Sequence, residues 1–301
     1  MNILIIGATG LFGTRLCELL AHEGNNIFAM TRDPEVAKEL TTFDITGVVG
    51  DLDDPESLRA PMEAADSIFL ATPMHEDLGE READAIRMAE ACGVNHVVKV
   101  YGSVRHDGDE LDQQHQIAID ALRRSDLHWT LISPQSVMET VLLPQADAVQ
   151  QLDQMFGSAG EGRVGFVSAD DCALAAATIL NSDPELMDGR NIEITGPEAL
   201  THAEVAERLS AELGREIRYT DLPEEDFRAL LVDFGLPAED LELQVLCHFR
   251  AIREGGADLV TNTFEWLTGR SPMTVSEWLH DHRRAFGAGK PVLELASVGE
   301  G

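Results

Sequence analysis

Gly7-Ala8-Thr9-Gly10-Leu11-Phe12-Gly13 is the stretch that decides the fold. It follows Asn2-Ile3-Leu4-Ile5-Ile6, an apolar run rich in β-branched residues, and precedes Leu11 to Glu23, where Leu16, Leu19 and Leu20 fall at helical spacing. A strand, a glycine turn and a helix in that order form the setting that a dinucleotide-phosphate turn requires. Gly7 permits the sharp exit from the strand, Gly10 lets the backbone approach a pyrophosphate, and Gly13 lets the helix pack close to the sheet. The free N–H groups of the helix start, with Thr9, Leu11 and Phe12 in the same turn, would hold the phosphates. The spacing is G-x-x-G-x-x-G, not the commoner G-x-G-x-x-G, so the triplet gains its weight from the strand before it and the helix after it. The competing reading is a plain connecting turn, which has no need of three glycines at these positions.

Outward from this turn, the first half of the chain alternates strand and helix, the pattern of a parallel sheet with helices on both faces. The pattern predicts strands at Asn2–Gly7, Asn26–Thr31, Thr46–Val49, Ser67–Ala71, His96–Tyr101 and His128–Ile132. Helices are expected at Leu11–Glu23, Pro34–Leu40, Pro55–Ala60, Glu76–Cys92 and Leu111–Arg124. Right-handed crossovers place the strand ends on one edge, where a ligand crevice belongs. Beyond Pro134 the rhythm changes. One long helix is expected from Ser136 to Met155, a helix from Ala169 to Leu180 capped by Asp170 or Asp171, and a short strand at Asn191–Thr195. A capping box is expected at Thr201 with Glu204, then a strand at Ile217–Thr220 and further helices to Ala285. The fold expected is α/β: a Rossmann-type doubly wound parallel sheet over residues 1–134, a smaller, mostly helical C-terminal lobe over 135–286 interleaved with it, and a mobile tail over 287–301.

The 301 residues carry 54 Asp and Glu against 22 Lys and Arg, a formal charge of −32 spread along the whole chain. Such a surface repels phosphate backbones, so direct nucleic-acid binding is not expected. Dispersed acid with only three lysines suggests a protein adapted to a salty cytoplasm, where self-repulsion is screened. No apolar run approaches the roughly 20 residues of a membrane span, and no secretory leader is evident, so a cytoplasmic monomer or homodimer is expected. Cys17, Cys92, Cys172 and Cys247 are scattered without a C-x-x-C pair, which points to structural thiols and to no metal site.

Several further stretches carry a family resemblance. Gly7 to Gly13, Gly50-Asp51-Leu52-Asp53-Asp54 with Ser57-Leu58, Phe69-Leu70-Ala71-Thr72-Pro73 and His128-Trp129-Thr130-Leu131-Ile132-Ser133-Pro134 resemble the NmrA-like branch of atypical short-chain dehydrogenases. So do Thr195-Gly196-Pro197-Glu198-Ala199-Leu200-Thr201 and Leu267-Thr268-Gly269-Arg270-Ser271-Pro272, and the similarity spans residues 1 to 286. The resemblance implies NAD(P)(H) bound by the first domain, with the lobe closing over the nicotinamide. It also implies either a reductase of quinones, azo compounds or dyes, or a redox-sensing regulator that binds the cofactor without turnover. A cofactor-bound subunit with a purely structural role is a third reading.

Cofactor choice turns on the end of the second strand. An NAD site puts an acid there for the ribose hydroxyls, but this chain has Ala29-Met30-Thr31-Arg32. Arg32 suits a 2′-phosphate, with Lys38 in support, while Asp33 is expected to cap the helix at Pro34. NADP(H) is therefore preferred, with NAD(H) also admitted. The resemblance implies Asp51 near adenine and Pro134 and Gln135 at the nicotinamide; Leu52 is expected to flank the ring, and Thr72 and Pro73 to line the middle of the cofactor. Short-chain dehydrogenases of the Tyr-x-x-x-Lys kind carry that pair on the helix after the fifth strand and a serine at the strand end. Ser103 matches the serine and His115 stands near the tyrosine's place, but Ile119 stands where the lysine would be. Tyr101 sits at the strand end, where it can reach the pocket. Quinone reduction needs a stacked acceptor and a modest proton source, a role open to His115 with an ordinary pKa of about 6.5. The competing reading of His115 is a half-exposed helix residue. Lys99, inside the fifth strand, could snorkel at the sheet end or approach the ribose, and the structural reading is favoured; Met138, Met155 and Phe166 are candidates for an apolar substrate wall, with core packing the favoured reading.

Overall fold

The computed structural model describes residues 1–42 and 44–287; of the expected tail, residues 288–301 lie outside the described residues. Strand β1 (Asn2–Ile6) runs into the glycine turn and helix α1 (Gly13–His22) leaves it. There follow β2 (Asn26–Thr31), α2 (Pro34–Leu40) and β3 (Ile45–Val49), then a 3-10 turn over Pro55–Leu58 that continues into α3 (Arg59–Glu63). The alternation goes on through β4 (Ser67–Leu70), α4 (Leu78–Ala91), β5 (His96–Val100), α5 (Glu110–Arg124) and β6 (His128–Pro134). Asp33 caps α2, accepting a hydrogen bond from Glu35 N at 2.8 Å, with Pro34 in the first helical position.

The single helix expected over Ser136 to Met155 does not form. The chain makes α6 (Met138–Val141), a 3-10 turn over Leu143–Gln145, α7 (Ala146–Leu152) and then strand β7 (Gln154–Gly157). Pro144 lacks the N–H a continuing helix would use, and left-handed Asp153 (φ 56°) ends α7. Helix α8 (Ala169–Leu180) has the expected bounds, but its cap is Ser168, whose hydroxyl accepts from Asp171 N at 3.1 Å. After α9 (Pro184–Met187), the strand expected in the lobe, β8 (Arg190–Ile194), pairs with β6 and extends the main sheet. Helix α10 (His202–Leu213) starts with the expected Thr201/Glu204 capping box. The lobe continues with β9 (Arg218–Asp221), α11 (Glu224–Asp233), a π-turn at Glu242–Leu246, α12 (Cys247–Arg253), α13 (Thr263–Thr268) and α14 (Val275–His282).

The main sheet has the order β3-β2-β1-β4-β5-β6-β8, and every pairing in it is parallel. The pleat sends alternate residues to opposite faces. Ile3, Ile5, Phe69 and Val98 meet α1 and α8 on one side, while Leu4, Ile6, Leu70 and Val97 meet α4 and α5 on the other. Both faces of the central strands β1, β4 and β5 are buried, as a parallel sheet requires, while the edge strand β3 is only partly covered. The lobe adds a two-stranded parallel sheet of β7 and β9 and its own core, where Met138, Met155 and Phe166 pack with Trp278. Strand order reverses between β1 and β4, so the crevice opens at their C-terminal ends. Among the described residues no helix is long and apolar enough to cross a membrane.

Candidate active site

A cavity of about 1620 Å³ lies along that edge and reaches from the glycine turn to the lobe. Gly7 has φ +93°, and a Cβ there would sit 2.4 Å from Ala71 O. A Cβ on Gly13 would sit 2.1 Å from Gly7 O. Side chains at these two positions would push β1, β4 and α1 apart. The start of α1 has no side-chain cap and no acid in its first turn, so the N–H groups of a turn that lines the cavity suit a bound anion. Thr9, Gly10, Leu11 and Phe12 complete that wall.

Arg32 stands at the cavity wall after β2 and has no ion-pair partner among the described residues. Lys38 is different: it pairs with Glu35 at 2.6 Å and does not line the cavity. Asp51 closes a turn, accepting from Asp53 N at 3.1 Å, and lines the cavity beside Leu52. Arg81 of α4, which sequence reasoning missed, pairs with Asp53 at 2.6 Å in the same wall. Thr72, Pro73 and Met74 line the middle, and Pro134 and Gln135 follow from β6. The Gln135 side chain is buried, and its Nε2 is left without a partner. Such an orphaned amide is costly unless a ligand supplies the acceptor. The turn, the free guanidinium and this amide therefore fit a phosphorylated dinucleotide.

Tyr101 and His115 meet in the cavity wall with ring centroids 5.1 Å apart, edge to face. Ser103 does not join them: it is outside the cavity lining, and its hydroxyl donates to Glu193 Oε1 at 3.4 Å. The Tyr101 hydroxyl donates to Asp112 Oδ1 at 3.3 Å, and burial and that carboxylate push its pKa up. The expectation of an ordinary imidazole acid is corrected. Burial, with the Lys99 ammonium beside it, pushes His115 down to about 2, so the ring is neutral. Ile119, one turn on, is buried under the sheet, and the lysine reaches His115 from β5 instead: Lys99 Nζ lies 3.3 Å from His115 Nδ1. Lys99 also pairs with Glu82 of α4, a residue sequence reasoning did not single out. The one available signal was that a lysine inside a buried strand needs a buried partner.

The lobe closes the far end with Phe156, Phe227, Leu230, Leu231, Phe249 and Ile252. His106, Cys247 and His248 come within 4.8 Å of one another near this end. Burial pushes the Cys247 thiol up to about 12, and the thiol donates to Leu243 O, so it does not present a ready thiolate.

A profile of the NmrA-like family matches residues 1–279. The chain belongs to that family. Among its relatives is the NAD(P)H azoreductase of Xenophilus azovorans, 30% identical over 292 residues, which are 95% of this chain and 99% of the relative. Quinone oxidoreductase 2 of Escherichia coli is 28% identical over 243 residues, 78% of this chain and 82% of that protein. Among solved structures, an Escherichia coli NADPH-dependent quinone oxidoreductase in complex with NADPH superposes with a TM-score of 0.84 at 24% identity, covering 93% of this chain and 99% of that one. That likeness shows the shared NmrA-like fold.

Proposed function

We propose that the protein is an NAD(P)H-dependent oxidoreductase that prefers NADPH and passes a hydride to a small apolar acceptor of the quinone class. The carrying observation is that one cavity joins an uncapped, glycine-lined helix start and a free Arg32 at one end to an aromatic and aliphatic wall beside His115 at the other. The first end matches a dinucleotide phosphate and a 2′-phosphate; the second matches a flat, uncharged acceptor. When bound, the cofactor supplies the hydride. The residues around it bind the phosphates, keep water from the reacting face, and place His115 as a donor. The azoreductase and quinone oxidoreductase names of the relatives support this reading. The His115–Lys99 contact favours turnover over a sensor that only holds the cofactor.

Fluorescence titration with NADPH and NADH at high salt tests it. NADPH is expected to bind more tightly, and Arg32→Ala to weaken NADPH by about 10- to 100-fold, the worth of one charged hydrogen bond, with little effect on NADH. Equal loss for both cofactors, or binding of neither, contradicts the assignment.

A further inference from the structure

Lys99 is a charged residue in the middle of a parallel strand, and it is fully buried. The pleat of β5 puts it on the same face as Val97, against α4 and α5. Glu82 precedes Ile86 by one turn of α4, and His115 precedes Ile119 by one turn of α5, so both stand on the stripes that cover this face. Gly79 lets the two helices approach closely: a Cβ there would lie 2.4 Å from Gln114 O.

Three groups converge on Lys99 Nζ. Glu82 Oε2 lies at 2.7 Å, an ion pair set off the line of a hydrogen bond. Val100 O accepts at 2.9 Å and His115 Nδ1 lies at 3.3 Å. The other oxygen of Glu82 accepts from Thr72 Oγ1 at 2.8 Å. A chain Thr72–Glu82–Lys99–His115 thus runs beneath the cavity. An ammonium has three donors and no lone pair, so His115 Nδ1 must accept. The neutral ring then carries its proton on Nε2, which has no protein partner among the described residues, on a side chain that lines the cavity.

We propose that Lys99, held by Glu82, is a positioning residue that locks His115 in the Nε2–H tautomer and feeds protons through it to the acceptor oxygen. The acceptor gains two electrons with the hydride from the reduced nicotinamide, which is oxidised, and one proton from His115 Nε2. As that N–H bond breaks, Nδ1 takes a proton from Lys99, and after product leaves, cavity water returns it by the same path. The ring never accumulates as imidazolium. The surrounding groups agree. Asp112 accepts from Tyr101 and Gln116, and Asp109 is taken by His106. His106 and, on α12, His248 add only repulsion to a cationic His115. Among the described residues no carboxylate is hydrogen-bonded to the His115 ring.

This rests on the hydride-transfer reading, and the test separates the two. Long-range proton–nitrogen NMR of histidine-labelled protein, with the His115 signal assigned by His115→Gln, reads tautomer and titration without any turnover. The native protein is expected to show Nε2–H and no titration between about pH 5 and 8. Glu82→Gln with Lys99→Met removes both charges together and so avoids a lone buried ion. In that variant His115 is expected to populate the Nδ1–H tautomer or titrate, and kcat for a naphthoquinone to fall by about a hundredfold or more while NADPH affinity holds. A native His115 that carries its proton on Nδ1, or titrates near an ordinary value, in a protein that reduces quinones overturns the relay alone. A locked Nε2–H tautomer in a protein that reduces none overturns the hydride-transfer reading, and the relay with it.

Discussion

Arg32 and His115 differ in exposure, and the role proposed for each depends on that difference. Arg32 is exposed at the cavity mouth, so its charge costs little to keep and remains free for an anion. Burial and Lys99 hold His115 neutral, so in the role proposed for it the ring donates a hydrogen bond and its state does not follow pH near neutrality. His115→Phe keeps the volume and the contact with Tyr101 but removes the donor. Its kcat for quinone reduction is expected to fall by about a hundredfold, with NADPH affinity unchanged in the fluorescence titration; an unchanged kcat would place the proton source elsewhere. The place of Arg32 at the cavity wall was legible in the sequence because position alone identifies the end of the second strand. Lys99 stood out as a charge inside an apolar strand, but its pairing with Glu82 was not legible, because the two meet only through the strand pleat and the close packing of α4 on α5.

At the scale of elements, the site depends on how near α1 stands to β1 and β4. Gly13→Ala places a Cβ 2.1 Å from Gly7 O, and backbone cannot yield there without moving the turn. Overpacking of this kind costs about 1–3 kcal/mol, so a lower Tm is expected in thermal unfolding together with loss of NADPH binding. A variant with native Tm and native binding would show that the turn is looser than described. The alternation of β1 through β6 was legible because both sheet faces are buried and the apolar runs stand out between turn signals. Residues 136–155 were not: α6, α7 and β7 are too short for their own periodicity, and only Pro144 marks the break. Strand β8 was seen, but its partner was not, since its pairing with β6 is set by α8 and α9 folding back across the sheet.

Across the whole molecule, charge and buried imidazoles pull stability in different directions. The net charge of −32 destabilises the compact state by self-repulsion, which salt screens. Tm is therefore expected to rise with ionic strength; a flat response would mean the repulsion is already neutralised within the fold. His96, His202 and His248 are each pushed by burial from 6.5 down to about 4, and His115 further, to about 2. Their folded values lie below the unfolded one, so the unfolded chain binds more protons between them. This contribution is complete above pH 6.5 and is lost progressively as pH falls toward the folded values. At high salt, where self-repulsion is screened, denaturant unfolding is expected to show stability falling from pH 6.5 toward pH 4; a rise over that window would contradict the buried neutral state of these rings.

We propose that this cavity carries hydride from NADPH to a quinone. The most direct measurement is the loss of reduced-nicotinamide absorbance when protein, NADPH and a naphthoquinone are mixed at high salt, beside the same mixture with Arg32→Ala. Fast, protein-dependent oxidation of NADPH is expected, slowing in the variant because its cofactor binds less tightly. Oxidation no faster than in the protein-free control, in a protein shown by titration to bind NADPH, would contradict it.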